Sequence, residues 1–338
     1  MTREPRRVTL AELAERAGVS IATASKVLNG RGDVAAATRA RVEGLLAEHG
    51  YRPRGASASK SPLVELVFHE LQSAWSIEII RGVEDVVGSH GMSVALTQSG
   101  TRHAPAEDWL EAVIQRRPSG IILVFSELPA PMRAALGTRG IPFVIIDPAG
   151  DPPADVPSVA SANWNGGLVA TRHLIELGHR RIAAITGPDD MMCSHARLDG
   201  YRSAMTAAGL PIDDAWVRFG DFHLEGGGRH AAELLDLPEP PTAIFAGSDL
   251  QALGVYDVAR QRGIRIPDEL AVVGYDDIPL AEWVSPRITT VLQPLAEMGR
   301  EAARLALRLA EGPIAPTPRI ELATRLVVRE STAPPPPS

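Results

Sequence analysis

Two groups of residues in this 338-residue chain have types and spacing suited to chemistry. The first is SIATASKVLNG, residues 20–30, where Ser20, Thr23 and Ser25 supply hydroxyls and Lys26, one of only two lysines, supplies an ammonium. Hydroxyls and a cation on one short helix suit phosphate oxygens. The second group follows apolar runs of strand length. Glu70, Ser73 and Trp75 come after LVELVF, and Gly187-Pro188-Asp189 after RIAAIT, with Arg197 entering the next helix. Ser248 and Asp249 follow AIFAG, Asp276 and Asp277 follow LAVVGY, and Phe222 precedes a further helix. Aromatics, one arginine and several carboxylates suit a polyhydroxyl ligand. Carboxylates accept from hydroxyls, arginine donates in a fork, and aromatic rings cover apolar ring faces.

These residues need elements to position them. The runs LVELVF, SVALT, GIILVF and FVIID, then RIAAIT, AIFAG and LAVVGY, alternate with helical patterns. The periodicity predicts helices near 76–90, 105–117 and 130–139 in the first set, and near 196–209, 224–236 and 249–262 in the second. Strands this uniformly apolar are buried on both faces, as in parallel sheets flanked by helices. Two successive sets predict two doubly wound α/β lobes, in which ligands sit at the carboxyl ends of the strands. A helix near 294–311 follows the second set and is expected to return to the first.

The first 51 residues read as a small all-α unit. Thr9 and Glu12 form a capping box for a helix from Leu10 to Ala17, which Gly18-Val19 breaks. Ser20 caps a second helix that Asn29-Gly30 ends. A third runs from Ala36 to His49, with Val42, Leu45 and Leu46 on one apolar face. Residues 52–62, RPRGASASKSP, read as a hinge or linker. The remainder divides into a first lobe, 63–161 with 292–320, and a second, 162–291 with 321–331. A disordered tail is expected over 332–338.

Charge is placed unevenly. The chain carries a net −7, yet residues 1–60 hold 11 Lys/Arg against 6 Asp/Glu. A basic head on an acidic body suits a polyanionic partner at one end. No run approaches ~18 uninterrupted apolar residues, so no membrane partner is expected. The charged start, MTREPRRVTLAELAERAG, lacks the apolar core of a secretory signal, and the single cysteine, Cys193, fits a reducing compartment. Both point to the cytoplasm, and to nucleoid association where the polyanionic partner is DNA.

VTLAELAERAGVSIATASKVLNG, residues 8–30, resembles the helix-turn-helix opening of the LacI/GalR family of bacterial transcription regulators. TRARVEGLLAEHGYRP (38–53) is similar to that family's third helix and its exit into the hinge. The resemblance continues through RGVEDV (81–86), ATRHLIELGHRRIAAITGP (170–188), RLDGY (197–201), SDLQALGV (248–255), LAVVGYDD (270–277) and TTVLQP (289–294). It implies a helix-turn-helix domain joined to a two-lobed body like a periplasmic binding protein. It also implies regulation, usually repression, by a small effector held between the lobes.

In such a head the second helix enters the major groove while the first crosses the backbone. Ile21, Ala22 and Lys26 then face base edges, and Thr9, Ser20, Thr23, Ser25, Asn29 and Thr38 are phosphate donors, with Arg39 beside them. The resemblance carries effector contacts onto Ser73, Trp75, Ser76, Arg197, Phe222, Ser248 and Asp276. Expected partners are a near-palindromic operator, a sugar or oligosaccharide effector and a second copy of the chain; a purine-type effector is the alternative. Family members commonly carry a hinge leucine that wedges into the minor groove. GASASKS offers none.

Two other classes fit less well. Adjacent Asp276-Asp277 suggests an enzyme, but no metal, nucleophile-elbow or phosphate-loop pattern accompanies it, and no cofactor is expected. A periplasmic sugar-binding protein fits the body but not the basic head.

Overall fold

The computed structural model describes residues 8–28, 34–49, 51, 61–71, 74–100 and 104–336. Asn29, Ser73 and residues 52–60 of the expected linker lie outside that set.

The head contains α1 (Leu10–Arg16), α2 (Ile21–Leu28) and α3 (Ala36–Glu48). Thr9 caps α1 as its sequence requires: the Glu12 amide donates to Thr9 Oγ1 at 3.3 Å, and the Thr9 amide donates to Glu12 Oε2 at 2.8 Å. Leu13, Ala14, Ala17, Ala24, Val27, Val42 and Leu46 form the head's core. Ala24 is fully buried, so its small side chain sets how closely α2 packs on its neighbours.

The first lobe is built from β1 (Ser61–Phe68), α4 (Ala74–Ser89), β2 (Ser93–Gln98), α5 (Glu107–Arg116), β3 (Pro118–Val124), α6 (Ala130–Thr138), β4 (Phe143–Ile146) and β5 (Ser158–Ser161). The chain then crosses into the second lobe. There it forms α7 (Asn163–Glu176), β6 (Ile182–Thr186), α8 (Met192–Ala207), β7 (Val217–Phe219), α9 (Leu224–Leu235), β8 (Ala243–Ala246), α10 (Asp249–Arg262), β9 (Ala271–Asp276), α11 (Leu280–Trp283) and β10 (Thr289–Leu292). It crosses back for α12 (Leu295–Glu311) and β11 (Arg319–Leu322), then once more for β12 (Arg325–Val327). The sheets have orders β11-β5-β4-β3-β1-β2 and β12-β10-β9-β8-β6-β7. Every pairing is parallel except β10 with β12. Strands β6, β8 and β9 are buried along their whole length, which explains their unbroken apolar runs.

The expected boundaries shift in small ways. β1 begins at Ser61, two residues inside the expected linker; Pro62 is accommodated because the register with β3 slips between Ser61 and Val64. Leu292 belongs to the second sheet, and β11 extends to Leu322 in the first. Helix α8 starts at Met192, ahead of the expected 196. The start of the expected tail is held in place. The Thr332 hydroxyl lies 2.9 Å from His173 Nε2, and the Ala333 carbonyl 2.8 Å from His179 Nε2.

A buried ion pair fixes the first sheet. Glu65, fully buried on β1, accepts from Arg116 Nε at 3.0 Å and Nη2 at 2.6 Å, and from the Thr97 hydroxyl at 2.9 Å. In the second lobe, Asp249 opens α10 and accepts from the Thr290 hydroxyl at 2.6 Å and the Ile278 amide at 2.9 Å. These bonds give Asp249 a structural task, although burial still pushes its carboxyl up to about 7.

Candidate functional site

The carboxyl ends of the two sheets face one cleft. The first lobe lines it with Phe68, His69, Glu70, Trp75, Ser76 and Phe125; the second contributes Arg197, Asp221, Phe222, His223, Ser248 and Asp276, among others. Trp75 stacks on Phe125 with ring centroids 4.7 Å apart and planes at 25°. Phe222 sits on the opposite wall in a left-handed conformation, φ 68°. Its carbonyl accepts from the Ser248 hydroxyl at 2.9 Å. Ser248 Oγ also caps α10 by accepting the Gln251 amide at 3.1 Å, so this expected effector residue already has two protein partners.

Arg197 is the hub. Its Nε donates to Asn163 Oδ1 at 2.8 Å, Nη1 to the Gly247 carbonyl at 2.5 Å and Nη2 to Gln293 Oε1 at 3.1 Å. The guanidinium lies 3.7 Å from the Tyr275 ring centroid and 5.3 Å from that of Phe222. Gln293 continues across the lobe junction, donating to Asp147 Oδ2 at 3.1 Å. A hydrogen-bonded relay thus joins Asp147, just past β4 in the first lobe, to the arginine of the second.

Asp276 lies beside this hub, at the end of β9. It is buried, its φ is 109°, and its Oδ1 has no hydrogen-bond partner among the described residues. Burial pushes its carboxyl well above the ordinary range, Arg197 pulls it back, and Asp249 and Asp147 push it further up. Asp147 is likewise raised by burial, to about 6, against the pull of Arg197. An orphaned acceptor beside a fixed guanidinium, with aromatic rings on both walls, is chemically suited to a neutral ligand bearing hydroxyls.

The strand-end rule found Glu70, Trp75, Pro188, Arg197, Phe222, Ser248 and Asp276, while Asp189 and Asp277 are not among the lining residues. It missed His69, Phe125, Asp221, His223 and the supporting Asp147, Asn163 and Gln293. His223 Nε2 meets Glu70 Oε1 at 3.0 Å across the cleft mouth. Trp164, exposed on α7, is not among the cleft residues.

In the head, Ile21 and Ala22 are exposed, while Thr23, Ser25 and Lys26 are half-buried. Ser20 Oγ accepts the Thr23 amide at 3.0 Å and lies 2.9 Å from the Thr23 hydroxyl. Thr38 and Arg39 lie at the start of α3, and Arg39 Nη1 is 3.7 Å from Glu111 on α5. Among the described residues no cluster of three or more His, Cys, Asp or Glu side chains is arranged to hold a metal, and no helix is long and apolar enough to cross a membrane.

A small helical reader joined to a two-lobed α/β body with an interlobe cleft defines a ligand-responsive DNA-binding regulator, and comparison with known proteins agrees. Residues 9–54 match the family described as bacterial regulatory proteins, lacI family, and residues 171–332 match the periplasmic binding protein-like domain. The chain is 33% identical to the HTH-type transcriptional repressor CytR of Escherichia coli, covering 96% of each. It is 34% identical to the E. coli ribose operon repressor, covering 96% of this chain and 99% of the other. A solved transcriptional regulator CelR–cellobiose complex is 38% identical, with a TM-score of 0.74, covering 96% of this chain and 100% of that one. A LacI family regulator from Enterococcus faecium with bound ribose is 27% identical, with a TM-score of 0.73, covering 80% and 99%. The chain belongs to the LacI family of bacterial transcription regulators.

Proposed function

We propose that this regulator is a repressor of carbohydrate-utilisation genes whose effector is a glucose disaccharide of the cellobiose type, bound in the interlobe cleft. Asp276 Oδ1, buried beside Arg197 with no hydrogen-bond partner among the described residues, carries the reading. It needs a partner, and a sugar hydroxyl, which can donate or accept, is one that costs no charge burial. Trp75 with Phe125 on one wall and Phe222 on the other give two platforms for two sugar rings, and the relative solved with cellobiose supports the choice. Ser73 and Ser76 complete the proposed effector set. Residues 61–161 with 293–322, and 162–292 with 323–331, are the proposed moving units. The sugar shifts their equilibrium only through a difference in affinity between open and closed forms.

The proposed operator contacts are Ile21, Ala22 and Lys26 to base edges, with Thr9, Ser20, Thr23, Ser25, Asn29, Thr38 and Arg39 toward phosphates. One head offers few contacts, so a homodimer on a near-palindromic site is proposed. Ile77 on α4 and Trp283 on α11, 62% and 77% exposed, supply apolar surface for the second copy.

The test combines a thermal-shift screen with DNA selection. Cellobiose at about 100 times its Kd adds ~2.7 kcal/mol and raises the melting temperature by roughly 5–10 °C, whereas monosaccharides and nucleobases do less. A nucleobase that shifts the protein while every sugar fails overturns the sugar reading. DNA fragments enriched from a random pool bind the wild type, and Lys26→Ala weakens that binding about tenfold. Failure to enrich any fragment overturns the operator contacts.

Gly187 supplies a second check on the cleft. A Cβ there would lie 1.9 Å from Phe222 Cζ, so Gly187→Ala evicts the ring from its wall. Cellobiose affinity should fall about tenfold by isothermal titration, and the Gly187→Ala/Phe222→Ala double variant should lose no more than either single one. Additive losses would show that the ring and Gly187 act separately.

A further inference from the structure

The head does not hang from its linker alone; it rests on the first lobe. Arg139, the residue that ends α6, reaches into the head and is 6% exposed at its side chain. Its Nε donates to the Leu28 carbonyl at 3.0 Å and its Nη2 to the Val27 carbonyl at 2.9 Å, so a body side chain caps the C-terminal end of α2. Nη2 also reaches Glu43 Oε1 on α3 at 3.2 Å, while Nη1 is anchored on its own helix at the Ala135 carbonyl, 2.9 Å away. A second ion pair, Arg39 with Glu111 of α5 at 3.7 Å, flanks the first.

Each part of this contact has a physical reason. The last carbonyls of a helix have no intrahelical donors and carry the negative end of its dipole, so a cation there satisfies both needs. Only a planar fork with several donors can serve two carbonyls, a carboxylate and its own helix at once. Ile21 and Ala22 stay exposed at the opposite end of α2. The contact therefore holds the back of the reading helix and leaves its front open.

We propose that α6 is the docking surface for this chain's own DNA-reading head, with Arg139 fixing the orientation of α2 relative to the first lobe. Movement of that lobe then reaches the reading helix through a direct side-chain contact as well as through the linker. The proposal rests on the DNA-reading role of the head, but its first readout does not use DNA.

Trypsin cleavage in the linker, after Arg54 or Lys60, is followed by mass spectrometry on the full-length protein. Arg139→Ala should accelerate cleavage about tenfold, because digestion tracks the population of undocked heads. Glu43→Ala should give a smaller acceleration, and the double variant no more than Arg139→Ala alone. The cellobiose thermal shift should be unchanged. Binding to the fragment selected by the wild type should weaken about three- to tenfold. Unchanged cleavage, or additive effects of the two substitutions, overturns the docking. Accelerated cleavage with undiminished DNA affinity overturns the claim that the docked pose orients the reading helix.

Discussion

Replacing Arg197 with alanine abolishes the thermal response to cellobiose and lowers the stability of the body by about 3–5 kcal/mol at neutral pH. Three protein acceptors, Asn163, the Gly247 carbonyl and Gln293, lose their donor at once, and the Tyr275 ring loses the cation stacked on it. The larger effect is electrostatic. Asp147 and Asp276 are both buried and both raised by burial, and Arg197 is the cation that pulls each of them down. A carboxyl whose folded value, about 6 for Asp147, exceeds its ordinary 3.8 contributes stability at low pH and loses that contribution as pH rises through the folded value. Without the arginine both carboxyls rise further, so the deficit of the variant opens as pH rises through the wild-type folded value, about 6 for Asp147. Urea unfolding at about pH 4.5 and 7.5 checks this: the loss should shrink by ~1–2 kcal/mol at the lower pH. An equal loss at both would mean that Arg197 stabilises through its hydrogen bonds and ring contact and not through the two carboxyls.

The second large effect comes from a residue with no side chain. A Cβ on Gly167 would lie 2.0 Å from the carbonyl oxygen of Arg197 and 2.8 Å from its carbonyl carbon. Both obstacles are backbone, so no rotamer can relieve the clash, and α7 and α8 must move apart. Gly167→Ala is expected to cost about 2–4 kcal/mol, at or above the usual range for overpacking. It should also displace the guanidinium that Asn163, on the same helix as Gly167, holds in place. Cellobiose affinity should therefore fall at least tenfold by isothermal titration, although Gly167 is not among the residues lining the cleft. Wild-type affinity in a folded Gly167→Ala variant would show that α7 and α8 separate without moving the arginine.

What the sequence disclosed and what it hid divide along local and non-local physics. The capping box at Thr9 and Glu12, the apolar face of Val42 and Leu46, and the buried strands β6, β8 and β9 follow from short-range pattern, and each was readable. The strand-end rule located Asp276 because it closes β9, whereas Arg197, in the second turn of α8, was marked also by the RLDGY motif. Phe125 and Asp147 follow β3 and β4 directly and were open to the same rule. Asn163 and Gln293 were not: they act where the chain passes between lobes, and only the packed structure brings them to one guanidinium. The Glu70–His223 contact and the hold of Arg139 on α2 join residues far apart in sequence, so no periodicity marks them. Strands β7 and β12, three residues each, are too short to show alternation.

The return of the chain for α12 has a consequence for how the protein is made. Met298, Ala302, Ala303, Leu305 and Ala306 of α12 belong to the same core as Val64, Leu66 and Phe68 of β1. About 240 residues separate the end of β1 from the end of α12. At ribosomal speeds of ~5–20 residues per second, the first sheet waits roughly 12–50 s with an apolar face uncovered while the head has long since emerged. The nascent chain is thus a finished DNA reader attached to an unfinished hydrophobic layer. Slow translation of the second lobe, or truncation before residue 295, should send it to chaperones or aggregates rather than to DNA.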